Sequence, residues 1–173
     1  MTDRASETPV RRLLRKTIWH EDAIPASEGQ ASRELKRYVL PAFDVLLIVM
    51  AITAIRLGMP SFDIVYNAFF STVASWALLL AAVTAFVGLA FPRLWALEAA
   101  GKLLMILVIG GYAGALWSLV AQGADGRGVV ACAFTGLLFL PMWNLARIGR
   151  ERWARKRAEE VATEAITVMG RDA

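Results

Sequence analysis

Tyr38 to Leu57 reads YVLPAFDVLLIVMAITAIRL. About 20 residues at 1.5 Å each make about 30 Å of helix, the thickness of a bilayer's hydrocarbon core. One acid, Asp44, lies inside this run, and Arg56 stands near its end. Between Asp44 and Arg56 the uncharged residues would cover only about 16 Å, too little to cross. A helix that spans a membrane here must therefore carry Asp44 in with it.

Three further apolar runs follow, Ile64 to Phe91, Ala99 to Ala121 and Val129 to Ala146. The whole chain is 57% hydrophobic, with a mean hydropathy of +0.50. Soluble domains hold about 45–50% apolar residues even with glycine counted. The charges are segregated too. Between Tyr38 and Ala146 only Asp44, Arg56, Asp63, Arg93, Glu98, Lys102, Asp125 and Arg127 are charged, and the rest lie in the two tails. This pattern predicts an all-α integral membrane four-helix bundle with short loops and helical cytoplasmic tails. Residues 1–37 form a basic tail, 38–146 the four spans, and 147–173 a charged helical tail.

Lys and Arg near the membrane set orientation. Arg33, Lys36, Arg37, Arg93, Lys102, Arg147, Arg150, Arg152, Arg155, Lys156 and Arg157 fall on one side, against Arg56 and Arg127 on the other. An even number of spans puts both tails on one side, so both termini are expected in the cytoplasm, with the protein in the plasma (inner) membrane. No short apolar region with a small-residue cleavage site precedes the first span, so no cleavable signal peptide is expected.

In the first tail, Thr8-Pro9 opens a helix on which Val10, Leu13, Leu14 and Ile18 share a face, with Arg11, Arg12, Arg15 and Lys16 between them and Trp19 at the end. Such a helix suits an anionic cytoplasmic leaflet or a protein surface. Ser27-Glu-Gly-Gln is a weak capping box ahead of the first span. In the last tail, RIGRERWARKR (147–157) is strongly basic, and Glu151 with Arg155 has helical pair spacing. Ala154, Ala158, Val161, Ala165 and Val168 form a faint heptad stripe, poor in bulk, that predicts a solvated helix.

Small residues mark packing seams. Ala77, Ala81 and Ala85 recur every fourth residue in the second run, and Gly110 and Gly114 form a GxxxG in the third. These are expected to pack within the bundle, with self-association as the other use. Gly58 to Asp63 reads as a polar turn, the length of the second run as tilt or a start in the interface, and Pro141 as a bend in the fourth. Glu98 and Lys102 have i,i+4 spacing and are expected to pair where the third helix leaves the lipid. Cys132, among apolar neighbours, is expected to be a buried inert thiol, and His20 a solvated histidine.

An acid at the bilayer centre costs about 2.5 kcal/mol or more, so Asp44 is the main candidate for chemistry. It lies about 9 Å from the cytoplasmic edge. Asn144, Arg147 and Lys102 approach that side, so Asp44 is expected in a polar cluster with them. The cluster is either a clasp holding span one to span four or a proton or cation site. No HExxH, CxxC, GxSxG or GK[ST] motif occurs, so no enzyme, metal or cofactor is expected. Basic segments beside a membrane are accounted for by topology, so no nucleic acid partner is expected either.

The Ala/Arg/Trp-rich segments FPRLWALEAAGK (91–102) and PMWNLARIGRERWARKR (141–157) resemble small four-span membrane proteins of actinobacteria and their phages, including holin-like and superinfection-exclusion proteins. The resemblance implies a multi-pass protein of the membrane and carries no functional residues across. The expected function is non-enzymatic, through membrane assembly or binding of a protein partner. A holin-like or exclusion protein, or a small transporter or channel subunit using Asp44, stands as the alternative.

Overall fold

The computed structural model describes residues 17–19 and 30–171. Among them the chain is helical with no strand. Helix α1 (Gln30–Glu34) passes through a π-helical turn, Leu35–Val39, into α2 (Leu40–Leu57). A short α3 (Pro60–Val65) precedes the long α4 (Ala68–Ala90) and α5 (Trp95–Ala121). After a 3-10 turn at Asp125–Arg127, α6 (Gly128–Leu137) leads into α7 (Phe139–Arg171). Among the described residues, four stretches are long and apolar enough to cross a membrane: Ser32–Leu57, Ala68–Ala90, Pro92–Ala121 and Gly128–Val161.

The helices pack in chain order. The central pair is α4 on α5, with α2 against α4, and α6 and α7 against α5. Among the described residues, the backbones of α2 and α7 do not come within 8 Å of each other. The first and fourth spans are therefore joined through side chains. Ile18 occupies the gap, packed with Leu40 of α2, Leu89 of α4 and Leu140 of α7. Its N–H donates to the Ala90 carbonyl at 3.1 Å, filling one of the acceptors that the end of α4 leaves open. Of the basic amphipathic helix read in the first tail, only Thr17–Trp19 falls within the described residues. The Thr8-Pro9 cap, His20 and most of the Ser27 capping box lie outside them.

Close approach of α4 and α5 depends on two glycines that the small-residue pattern did not single out. A Cβ on Gly101 would stand 2.6 Å from the Ala85 nitrogen and 2.8 Å from the Ala81 oxygen. One on Gly88 would stand 2.2 Å from the Glu98 nitrogen. Ala81 and Ala85 are fully buried in this seam, whereas Ala77 is half-buried. The Gly110–Gly114 motif is not part of it. Gly110 has only Leu138 at 4.0 Å, and nothing comes within 4 Å of Gly114. The expectation that this GxxxG packs within the bundle is therefore corrected. The buried face of α5 runs through Glu98, Lys102, Met105, Ile109, Ala113 and Leu116, and Gly114 falls off that stripe.

Several local expectations also change. The stretch read as a polar turn contains α3, because Pro60 starts a helix and Phe62 drives it inward, 1% exposed. The second span starts at Ala68 rather than Ile64. Asn67 breaks the chain there, and its Oδ1 accepts from the Phe70 N–H at 2.7 Å as an N-cap. The extra length of that run belongs to the end of α3 and the break at Tyr66 and Asn67. In the fourth span the interruption falls at Leu138, between α6 and α7. Pro141 lacks an N–H and crowds the carbonyl four residues back, so the ladder breaks one turn before the proline. Cys132 is exposed, not buried, since α6 turns Ala131 inward and its neighbour outward.

At the end where α2 turns back into α4, aromatic rings close the layer. Phe62 lies 5.7 Å from Tyr66, 5.2 Å from Phe70 and 5.1 Å from Tyr112, each edge-on. Tyr112 continues to Phe134 at 4.7 Å, tying α3, α4, α5 and α6 together.

Candidate functional site

At the opposite end, where the tails meet the helices, polar side chains occupy the packing faces. On α2 the buried positions are Leu40, Pro41, Asp44, Leu47 and Ala51, and all but Pro41 form one stripe at helical spacing. Asp44 thus replaces an apolar residue in the seam. On α5, Glu98 and Lys102 head the buried stripe, and on α7 Asn144 follows the buried Pro141. Asp44, Lys102 and Asn144 are each 0% exposed.

The Lys102 ammonium donates to Asp44 Oδ1 in a pair from which water is excluded. The same ammonium lies 5.7 Å from the Phe43 ring centroid, a second attraction for the cation. Asn144 Nδ2 donates to Glu98 Oε1 at 2.7 Å. Its Oδ1 accepts from Arg147 Nη2 at 2.6 Å and Nε at 3.1 Å. Arg147 Nη2 is 3.9 Å from Glu98 and Nη1 3.5 Å from Glu151. Lys36 Nζ then meets Glu151 at 3.0 Å, so the first tail is tied to the last. Two strands of pairing result, Asp44 with Lys102 inside, and Glu98–Asn144–Arg147–Glu151–Lys36 running outward.

Asp44 meets Lys102 of the third span, not a residue of the fourth. The clasp from span one to span four is corrected accordingly: Asp44 holds α2 to α5, and Asn144 with Arg147 holds α7 to α5. Glu98 does not pair with Lys102. At i,i+4 both point to the buried face of α5, and each finds a partner on a different helix. Glu98, 7% exposed, is the cluster member that sequence reasoning left out by starting the span at Ala99. Its signal was present in the spacing of Glu98, Lys102, Met105 and Ile109, which carries the apolar stripe of α5 back through both charges.

Asp44 Oδ2 is buried and has no hydrogen-bond partner among the described residues. No three His, Cys, Asp or Glu side chains among the described residues gather in a way that could hold a metal ion. Arg152 of α7 stacks 3.7 Å from the Trp95 ring of α5, fixing the root of α7 beside α5, and Arg157 lies 3.8 Å from the Trp153 ring within α7 itself. In the tail, Ala154, Ala158 and Val161 are exposed. Ala165, Val168 and the side chain of Arg155 lie outside the described side chains.

No family model, curated protein or solved structure matches the chain.

Proposed function

We propose that the chain is a multi-pass protein of the plasma membrane that acts through assembly or partner binding, not catalysis. The observation that carries this is the mutual pairing inside the polar cluster. Asp44 and Lys102 neutralise each other in a fully buried contact, and Glu98 is engaged by Asn144 with Arg147 beside it. Groups so engaged hold helices together and present no reactive atom to a substrate. Outward-facing Gly111 and Gly114 leave one flank of α5 open to close approach by another helix.

Both tails belong in the cytoplasm, because the end of the layer that bears them carries most of the Lys and Arg. A periplasm-dependent reporter fused to the C-terminus is expected to be inactive. To test assembly, Gly114→Cys is placed in a Cys132→Ser background and oxidised in native membranes. A covalent dimer is expected.

A second reading is favoured by the unpartnered Asp44 Oδ2, a place where a proton or water can sit in a small transporter or channel subunit. Proteoliposomes decide between the two. The assembly reading predicts no proton or cation flux above that of empty vesicles. Flux that is present and is lost in Asp44→Asn would replace it. Inducible expression is expected to leave membrane potential intact, and depolarisation would move the protein to the hole-forming class.

A further inference from the structure

Thr17–Trp19 lies in no helix, yet it is seated inside the bundle. Thr17 is 7% exposed and Ile18 5%. Among the described residues α2 packs on α4 and α7 on α5, with no backbone approach between α2 and α7. Ile18 closes the space between them against Leu40, Leu89 and Leu140. The segment is positioned by the Ile18 N–H on the Ala90 carbonyl and by the Trp19 indole N–H on the Arg37 carbonyl at 3.2 Å. The Trp19 ring adds a tilted contact, 6.4 Å from Phe86.

Each of the three leucines borders the polar cluster. Leu40 lies one helical turn from Asp44, and Leu140 one turn from Asn144. Leu89 follows Gly88, where an added Cβ would stand 2.2 Å from the Glu98 nitrogen. Ile18 therefore stands where water would enter toward Asp44 and Lys102 from the end that bears the tails. Asp44 Oδ2, buried and without a hydrogen-bond partner among the described residues, is an acceptor for such a water. Local openings draw on the segments least woven into packed helices. A side chain inserted from a turn can leave without breaking the backbone ladder of any span, whereas Leu40 and Leu89 cannot.

We propose that Thr17–Trp19 is a detachable wedge that closes the tail-bearing end of the polar cluster and controls when water reaches Asp44. Seated, it keeps the Asp44–Lys102 pair dry. Withdrawn, it leaves a gap between α2 and α7 one turn from Asp44. The proposal concerns the fold of a single copy and does not depend on how copies assemble.

The test uses the full chain in a neutral detergent and a Cys132→Ser background, with a small charged maleimide as the probe. Leu40→Cys reports on the gap. Leu47→Cys is its control, the same change two turns along α2 at a position that is also 0% exposed. With Ile18 in place, Leu40→Cys is expected to react about 10-fold faster than Leu47→Cys, through transient withdrawal of the wedge. Ile18→Ser is expected to speed Leu40→Cys by roughly another 10-fold and to leave Leu47→Cys within about twofold. Equal rates at the two reporters with Ile18 in place overturn detachment and make the segment a fixed part of the core. No acceleration of Leu40→Cys by Ile18→Ser overturns the wedge. Equal acceleration of both reporters means a bundle loosened throughout, which overturns it too. If Ile18→Ser is not monodisperse, Trp19→Ala carries the test, with roughly a fivefold acceleration of Leu40→Cys expected from the lost indole hydrogen bond.

Discussion

At one end of the helical layer, Phe62 is enclosed edge-on by Tyr66, Phe70 and Tyr112. At the other, the equivalent space between helices is filled by Asp44, Lys102, Glu98 and Asn144. Both ends are closed by buried side chains reaching across several helices, yet their failure modes differ. An aromatic contact degrades by volume, since each ring loses only the neighbours that are removed. A buried charge degrades by pairing, since the partner left behind keeps its full desolvation cost.

The largest expected effect comes from splitting the inner pair. Lys102→Met leaves Asp44 buried against an apolar side chain and should cost about 4 kcal/mol. Unfolding in detergent, followed by circular dichroism, measures it. Asp44→Leu/Lys102→Met is expected to recover most of that loss, because a packed apolar pair avoids the desolvation cost altogether. If the double variant is no better than the single, the two residues are not a pair and the contrast between the ends collapses.

Phe62→Ala comes next, at about 3 kcal/mol from lost burial and the cavity left behind. No second substitution at Tyr66 or Tyr112 should rescue it. A rescue would mean that the aromatic end also depends on matched partners.

Gly101→Ala should cost about 2 kcal/mol through overpacking, since the new methyl meets α4 backbone. Gly114→Ala should change stability by less than about 0.5 kcal/mol, because nothing lies within 4 Å. Thermal midpoints of the two variants, compared in the same detergent, check the difference. Equal effects would mean that the glycine pair on the outer flank is also part of the fold.

Among the substitutions that remove a contact, Lys36→Ala is the smallest. Glu151 is 40% exposed, so this outer link is screened and contributes at most about 1 kcal/mol. Its loss should be reproduced by 0.5 M salt on the wild-type chain, a concentration well above the roughly 0.15 M of physiological screening.

Much of this arrangement was readable from residue order. Four apolar runs long enough to cross a bilayer correspond to the four long helices, and the run containing Asp44 does bury that acid. Asp44 and Lys102 were placed at the same end by span length alone. What could not be read was partner choice. Spacing along a helix says that Glu98 and Lys102 share a face, but that face can be outward, where they would pair, or inward, where each meets another helix. The glycine pattern failed for a related reason. GxxxG states that close approach is permitted, and only the rotation of α5 decides whether Gly110–Gly114 or the single Gly101 is the one approached. Asn67 was punctuation inside a continuous apolar stretch, so α3 was divided between the polar turn read at Gly58 to Asp63 and the start of the second run at Ile64.

α7 continues unbroken from Phe139 to Arg171. Beyond Asn144 it extends about 40 Å. Its root is moored on three sides, by Asn144 to Glu98, by Arg152 to Trp95 and by Glu151 to Lys36. Such a rod is a lever with its fulcrum in the polar cluster. A tilt of 10° at Asn144 would carry its far end about 7 Å sideways, given 1.5 Å of rise per residue. Small rearrangements among buried side chains would thereby become displacements as large as a side chain at the tip.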